Sequence, residues 1–257
     1  SVNTTSTVNG NLPIVGATHT VNNNLGIGTV SSAIRGALDP GAGLTKEVGT
    51  TNFTFAGIKL TAGSNEDLTL KSIRWYQSGS AASADLANLK TTVDGTEYEV
   101  LNGSGKYYTT IFPAGGIAIK KGFSKDISIK GDMVGGSSRT VDFDIDRRTD
   151  IHVVGNTYGY GIRPPLDSAN TTADAGTFKS TDNPYWDAYQ HTISVGSMQV
   201  SSWTVGVPAQ NLAENVLGQP IMGLTFDVKG EPISVSQILF TWNLSGGDAA
   251  TQGSVGG

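Results

Sequence analysis

Phe55-Ala-Gly-Ile58-Lys-Leu60, followed by Leu68-Thr-Leu70-Lys-Ser-Ile73-Arg-Trp75, is the stretch whose reading decides the fold. Apolar and polar residues alternate along it, the period of a strand with one covered face. The alternation keeps one parity at Leu68 and Leu70, then jumps by three to Ile73 and Trp75. A slip of that kind moves side chains to the other face, so it marks a bulge or a change of sheet. Ile221-Met-Gly-Leu224-Thr-Phe226 and Ile233-Ser-Val235-Ser-Gln-Ile238-Leu-Phe240 repeat both the alternation and the slip. Two copies of one β-unit are therefore expected, over 55–79 and 221–246. The first continues for about eighty residues past Gly79, whereas the second has eleven left after Gly246. The second unit is thus expected to be incomplete within the chain and finished by another chain.

Composition agrees with short strands joined by many turns. Charged residues make up 15% of the 257, glycines number 34, and Ser, Thr and Asn abound, which is not the profile of a helical enzyme. The net charge of −5 is dispersed, with no Lys/Arg cluster among aromatics, so nucleic acid is not an expected partner. Cysteine is absent, which removes disulfides, thiolate nucleophiles and zinc-thiolate sites. No apolar run approaches the roughly 18–20 residues that span a bilayer, and the start at Ser1 reads as a mature product or a fragment.

Along the chain, residues 1–24 are rich in Asn, Thr, Ser and Gly and read as an extended N-terminal arm. Residues 25–162 carry closely spaced strand signals with turns such as Asp94-Gly95 and Gly115-Gly116, a β-sandwich pattern. Residues 163–192 lack a sustained period and read as a linker, and 193–257 as a partial second sandwich. Ala81–Lys90 and Asn211–Leu217 suggest a turn or two of helix.

The order Thr50-Thr-Asn-Phe-Thr-Phe55, Asn65-Glu-Asp-Leu-Thr-Leu70, Asp85-Leu-Ala-Asn-Leu89, Phe112-Pro-Ala-Gly-Gly, Asp126-Ile-Ser-Ile-Lys-Gly-Asp132 and Asn156-Thr-Tyr-Gly-Tyr-Gly161 resembles the repetitive β-sandwich modules of prokaryotic cell-surface proteins, surface-layer-like and filament-forming proteins among them. The resemblance covers roughly Leu25–Ile162 and part of Ile193–Gly257, through loose patterns. It implies an all-β, tandem Ig-like architecture in an extracellular building block, and it brings no catalytic residues.

Little in the sequence points to chemistry. His19, His152 and His191 form no pair at metal-ligand spacing, and no nucleophile elbow, phosphate loop or dinucleotide fingerprint is present. No enzymatic activity is expected. In Asp142-Phe-Asp144-Ile-Asp146, period 2 sets three carboxylates on one face and Val141, Phe143 and Ile145 on the other. The plain reading is a solvated outer face. The sharper one is a calcium site, with Arg147, Arg148 and Asp150 neutralising or completing it and loop oxygens closing a shell that carboxylates roughly 6–7 Å apart cannot close alone. Asn65-Glu-Asp67 and Asp85 could supply further calcium ligands. No cofactor besides calcium is suggested. Tyr185, Trp186 and Tyr189, next to Asp187 and Gln190, form a platform on which sugars would stack if exposed, or plug a junction between β-units. Asn3, Asn102 and Asn170 are loop-borne glycosylation acceptors, while Asn52 and Asn243 fall in or beside strands.

The leading expectation is a secreted structural subunit that polymerises with itself. Its donor strand would be the arm, through Leu12, Ile14, Val15 and Val21. Its acceptor groove would be lined by Leu224, Phe226, Ile238 and Phe240. The alternative is a carbohydrate-binding or adhesin module of a larger surface protein, and a viral tail or capsid component is a third reading.

Overall fold

The computed structural model describes residues 3–10, 15–21, 25–170, 175–181, 183–210, 212, 216–230 and 233–241. In chain order its strands are β1 (Val30–Ile34), β2 (Thr45–Glu47), β3 (Phe53–Ala62), β4 (Leu68–Ser78), β5 (Leu86–Val93), β6 (Thr96–Glu99), β7 (Leu101–Asn102), β8 (Tyr107–Ile111), β9 (Ile117–Ile119), β10 (Ser124–Met133), β11 (Thr140–Asp144), β12 (Ile151–Gly155), β13 (Gly161–Ile162), β14 (Thr177–Phe178), β15 (Trp186–Asp187), β16 (His191–Ser194), β17 (Ser197–Ser202) and β18 (Leu224–Lys229). The described residues are all-β apart from short 3-10 turns.

Two large sheets share one core. The first runs β1-β3-β10-β5-β6. The second runs β13-β12-β4-β11-β16-β2, with β8 and β9 also paired to β4 and β7 to β8. Phe55 of β3 meets Phe143 of β11 across the gap, ring centroids 5.1 Å apart. The indole N–H of Trp75 on β4 donates to Thr91 Oγ1 on β5 at 3.0 Å, and the Thr110 hydroxyl donates to the same oxygen at 2.8 Å. These bonds satisfy buried polar atoms that would otherwise each cost about 1–3 kcal/mol.

The phase slip of β4 is a bulge. On β12, His152 pairs with Ser72 and Val153 with Leu70, so Lys71 is the extra residue. Absorbing it leaves Leu68, Leu70, Ile73 and Trp75 all fully buried, where an unbulged strand would have turned the last two away from the core. β3 does the same against β10, with Phe55 unpaired between Thr54 and Ala56. Asp94-Gly95 closes β5 to β6 as a two-residue hairpin loop, with Val93 opposite Thr96 and both loop residues in the left-handed region (φ 48° and 84°). Gly95→Ala is expected to cost about 1–2 kcal/mol in chemical denaturation. An unchanged midpoint would show that the turn relaxes to another type.

Three expectations need correction. Ala81–Lys90 is not helical: Ser83–Asp85 is a single 3-10 turn and β5 begins at Leu86. Pairing with β10 and β6 on both edges overrides its local helix propensity. Next, residues 163–192 do not form a bare linker. Tyr185, Trp186, Ala188 and His191 are all at most 1% exposed, and β16 joins the second sheet between β11 and β2, so Ile193 also lies in this core. Lastly, a tandem second sandwich is not present among the described residues. Beyond β16 they form a two-stranded ribbon, β17 with β18, and 233–241 is extended without strand pairing. The alternation in 233–240 specifies faces but supplies no partner.

Candidate functional site

Asp142 and Asp144 lie on one face of β11, opposite Val141 and Phe143, as the period requires. That face is not solvated. Asp142 is 4% and Asp144 5% exposed, because residues 185–190 fold back across it. The anchor is Ile145, which exchanges backbone hydrogen bonds with Trp186, with N···O distances of 3.0 Å in both directions. The return brings Asp187 in. One carboxylate oxygen each from Asp142, Asp144 and Asp187 lie within 4.8 Å of one another.

The electrostatics follow from the burial. Asp144 Oδ1 accepts the Ala188 N–H at 2.8 Å and Oδ2 accepts the Ser78 hydroxyl at 2.9 Å. Desolvation, reinforced by the Asp142 charge, nevertheless pushes its carboxyl up to about 7. Asp142 is raised as well, by desolvation first and further by Asp187, with Ser78 and Gln190 opposing the shift. Its Oδ1 has no hydrogen-bond partner. Lys179 Nζ stands 3.5 Å from Asp187 Oδ2. Among the described residues no ion pair reaches Asp142 or Asp144.

Asp146 belongs elsewhere, because β11 ends at Asp144 and the chain turns. Its Oδ2 accepts the Tyr107 hydroxyl at 3.1 Å and lies 3.7 Å from Arg147 Nε. Arg74 sits over the Tyr107 ring and pairs with Asp150 at 2.6 Å. Asp150 is therefore engaged too and does not complete a site at β11. The other acids suggested as calcium ligands have protein partners. Glu66 binds the backbone N–H groups of Gly28 and Thr157, Asp67 binds Lys120 and the Lys121 N–H, and Asp85 binds Arg139 and the Ala82 N–H.

Of the two readings of the aromatic stretch, burial favours the plug over the sugar platform. Tyr185 and Trp186 are 1% and 0% exposed, so they present no face to a glycan. Trp186 packs on Phe178 and Trp75 and its ring plugs the core, and the Tyr185 hydroxyl bonds Ser32. Tyr189 is half-buried. Tyr158 and Tyr160 do stack in the open, ring centroids 6.4 Å apart at 25°. Buried His191 is held neutral, its pKa lowered by desolvation, with Nε2 3.0 Å from the Phe55 carbonyl oxygen. Asn3 and Asn102 are exposed, whereas Asn170 Nδ2 donates to the Phe178 carbonyl.

Of the donor arm, Val15 and Val21 are described and are 80% and 90% exposed, while Leu12 and Ile14 lie outside the described residues. On the ribbon, Met198 pairs with Val228 and Val200 with Phe226, placing four apolar side chains on one face at 37–47% exposure. Leu224 is half-buried, and Ile238 and Phe240 are 45% and 52% exposed. Phe226, Ile238 and Phe240 are thus exposed, and among the described residues no strand pairing joins 233–241 to β18. They do not form a closed groove.

No protein-family model matches the chain, and no curated protein is significantly similar to it. Among solved structures, the full-length major pilin RrgB of Streptococcus pneumoniae overlaps 48% of this chain and 24% of its own, at 11% identity and a TM-score of 0.23. The chain thus spans about a quarter of that pilin. AvmM, which catalyses macrocyclization in alchivemycin A biosynthesis, overlaps 82% of this chain and 92% of its own at 10% identity and a TM-score of 0.25. An M1 zinc metallopeptidase of Deinococcus radiodurans overlaps 79% and 39% at 12% identity and a TM-score of 0.24. Overlaps at these TM-scores carry no argument about function. No helix among the described residues is long and apolar enough to cross a membrane.

Proposed function

We propose that the chain is a structural subunit of an extracellular, self-assembling filament or surface layer, in which a strand from one copy covers the apolar ribbon of the next. The observation that carries the reading is the β17–β18 face, with Met198, Val200, Phe226 and Val228 side by side and half exposed. A two-stranded ribbon is at best marginally stable by itself, and its outer edges offer unpaired N–H and C=O groups. An added strand supplies both the missing hydrogen bonds and the missing apolar cover. The arm has the matching character, with Val15 and Val21 extended into solvent and Thr18 and Thr20 between them. Because the donor and acceptor surfaces differ, head-to-tail addition does not close on itself and continues into a polymer. The reading assigns no catalysis to the chain.

Deleting residues 1–24 tests it. The full chain is expected to give regular polymers by electron microscopy and the shortened chain dispersed particles that keep the same circular dichroism. Normal polymers from the shortened chain would refute the donor assignment. A full chain that stays monomeric at high concentration would remove the filament reading altogether.

A further inference from the structure

We propose that Asp142, Asp144 and Asp187 form the carboxylate side of a calcium-class cation site that staples residues 185–190 onto β11. The three ligand oxygens lie within 4.8 Å of one another. That is twice a typical calcium–oxygen distance of about 2.4 Å, so all three fit on one coordination sphere. The charge balance demands something positive. Three carboxylates meet there, and Lys179, 3.5 Å from Asp187, is the one ammonium group paired with any of them among the described residues. Burying uncompensated carboxylate charge is costly enough that such groups bind a proton or a metal. One shared proton leaves the cluster still negative, whereas a divalent cation and Lys179 together neutralise it.

An independent sign is Asp142 Oδ1, a buried carboxylate oxygen with no hydrogen-bond donor. A cation supplies the partner it lacks. The donor chemistry selects the ion class. The cluster offers oxygen alone, with the Ser78 hydroxyl and the Gln190 side chain beside Asp142 as neutral additions, and hard oxygen donors favour calcium over zinc or copper. The Asp187 side chain is 26% exposed, so the cluster opens to solvent on that side, giving the ion a route in and leaving room for water in the shell.

The test uses the full chain, stripped with chelator and titrated with calcium chloride by calorimetry and by thermal unfolding. One calcium per chain is expected, with a melting temperature that rises with calcium concentration. Terbium bound in its place should luminesce on Trp excitation, since Trp186 adjoins Asp187. Asp187→Asn is expected to weaken binding roughly tenfold or more. Asp146→Asn, outside the cluster, should bind as the unaltered chain does. Absence of heat and of a melting shift at millimolar calcium would overturn the proposal, whether or not either variant folds. So would an Asp142→Asn chain that is more stable than the original with calcium without effect on both, since that result assigns the cluster to a shared proton.

Discussion

Replacing Trp186 by alanine is expected to destabilise the chain by about 3–5 kcal/mol, the range for deleting a large aromatic from a packed core. Trp186 is fully buried, stacked on Phe178 at 5.7 Å and edge-on to Trp75 at 6.5 Å. Its backbone also holds the bridge to Ile145, on which the whole return of 185–190 depends. Alanine keeps both bonds of that bridge, so the loss expected is that of the ring contacts. The cavity opens where β14, β15 and the second sheet meet. Urea denaturation of the unaltered and variant chains measures the effect. A loss under about 1 kcal/mol would mean that the ring is a surface feature after all, and the sugar-platform reading would return.

Trp186 also marks the limit of what the sequence discloses. The strands of the main body are legible because a half-covered sheet imposes alternation, and because Lys71 and Phe55 had to be bulged out to keep that alternation in register. The Asp94-Gly95 turn is legible because few residue pairs tolerate two left-handed positions. Tyr185 to His191 carries no period, since its burial comes from one short bridge and a crossing over β11, not from a long strand. Aromatic rings beside Asp and Gln look the same in a buried plug and in an exposed platform. β2 escaped notice for a related reason: Thr45-Lys-Glu47 is short and polar, and it is a strand because β16 lies parallel to it.

The acidic site shows the same division. Period 2 correctly places Asp142 and Asp144 on one face, and the same rule wrongly carries on to Asp146, since alternation holds only while the strand does. The third oxygen comes from Asp187, far away in sequence, and nothing local to Asp142-Phe-Asp144 announces it. The mistaken expectation of a solvated face has the same origin. Exposure of a strand's outer side depends on what later chain folds over it, and here the covering segment is the one that reads as a linker.

Loss of Glu66 is expected to be comparably damaging, and it bears on how the arm is presented. Glu66 is 4% exposed, and its two oxygens accept the Gly28 and Thr157 N–H groups, each at 2.7 Å. Beside it, Asn65 Nδ2 donates to the Ile27 carbonyl at 2.8 Å. Ile27 and Gly28 are the root from which the arm leaves the body, so these two side chains fix its point of departure. Glu66→Ala leaves the buried Gly28 N–H without an acceptor and removes that of the exposed Thr157 N–H, a cost of about 2–4 kcal/mol at the level of hydrogen bonds to a charged acceptor. Glu66→Gln keeps the shape but turns an NH2 group towards one of those donors, so it too should be strongly destabilised. That pairing of variants separates acceptor chemistry from volume. Burial pushes the Glu66 carboxyl up, but the donors from Thr157, Gly28 and Tyr158 outweigh it and hold it below its ordinary value. A depressed carboxyl stabilises the fold above the unfolded-state value and loses that contribution as pH falls through the folded one. The unaltered chain should therefore weaken on acidification more steeply than Glu66→Gln. Equal slopes for the two, measured by denaturation at neutral and acid pH, would show that Glu66 is not the anchor of the arm's root.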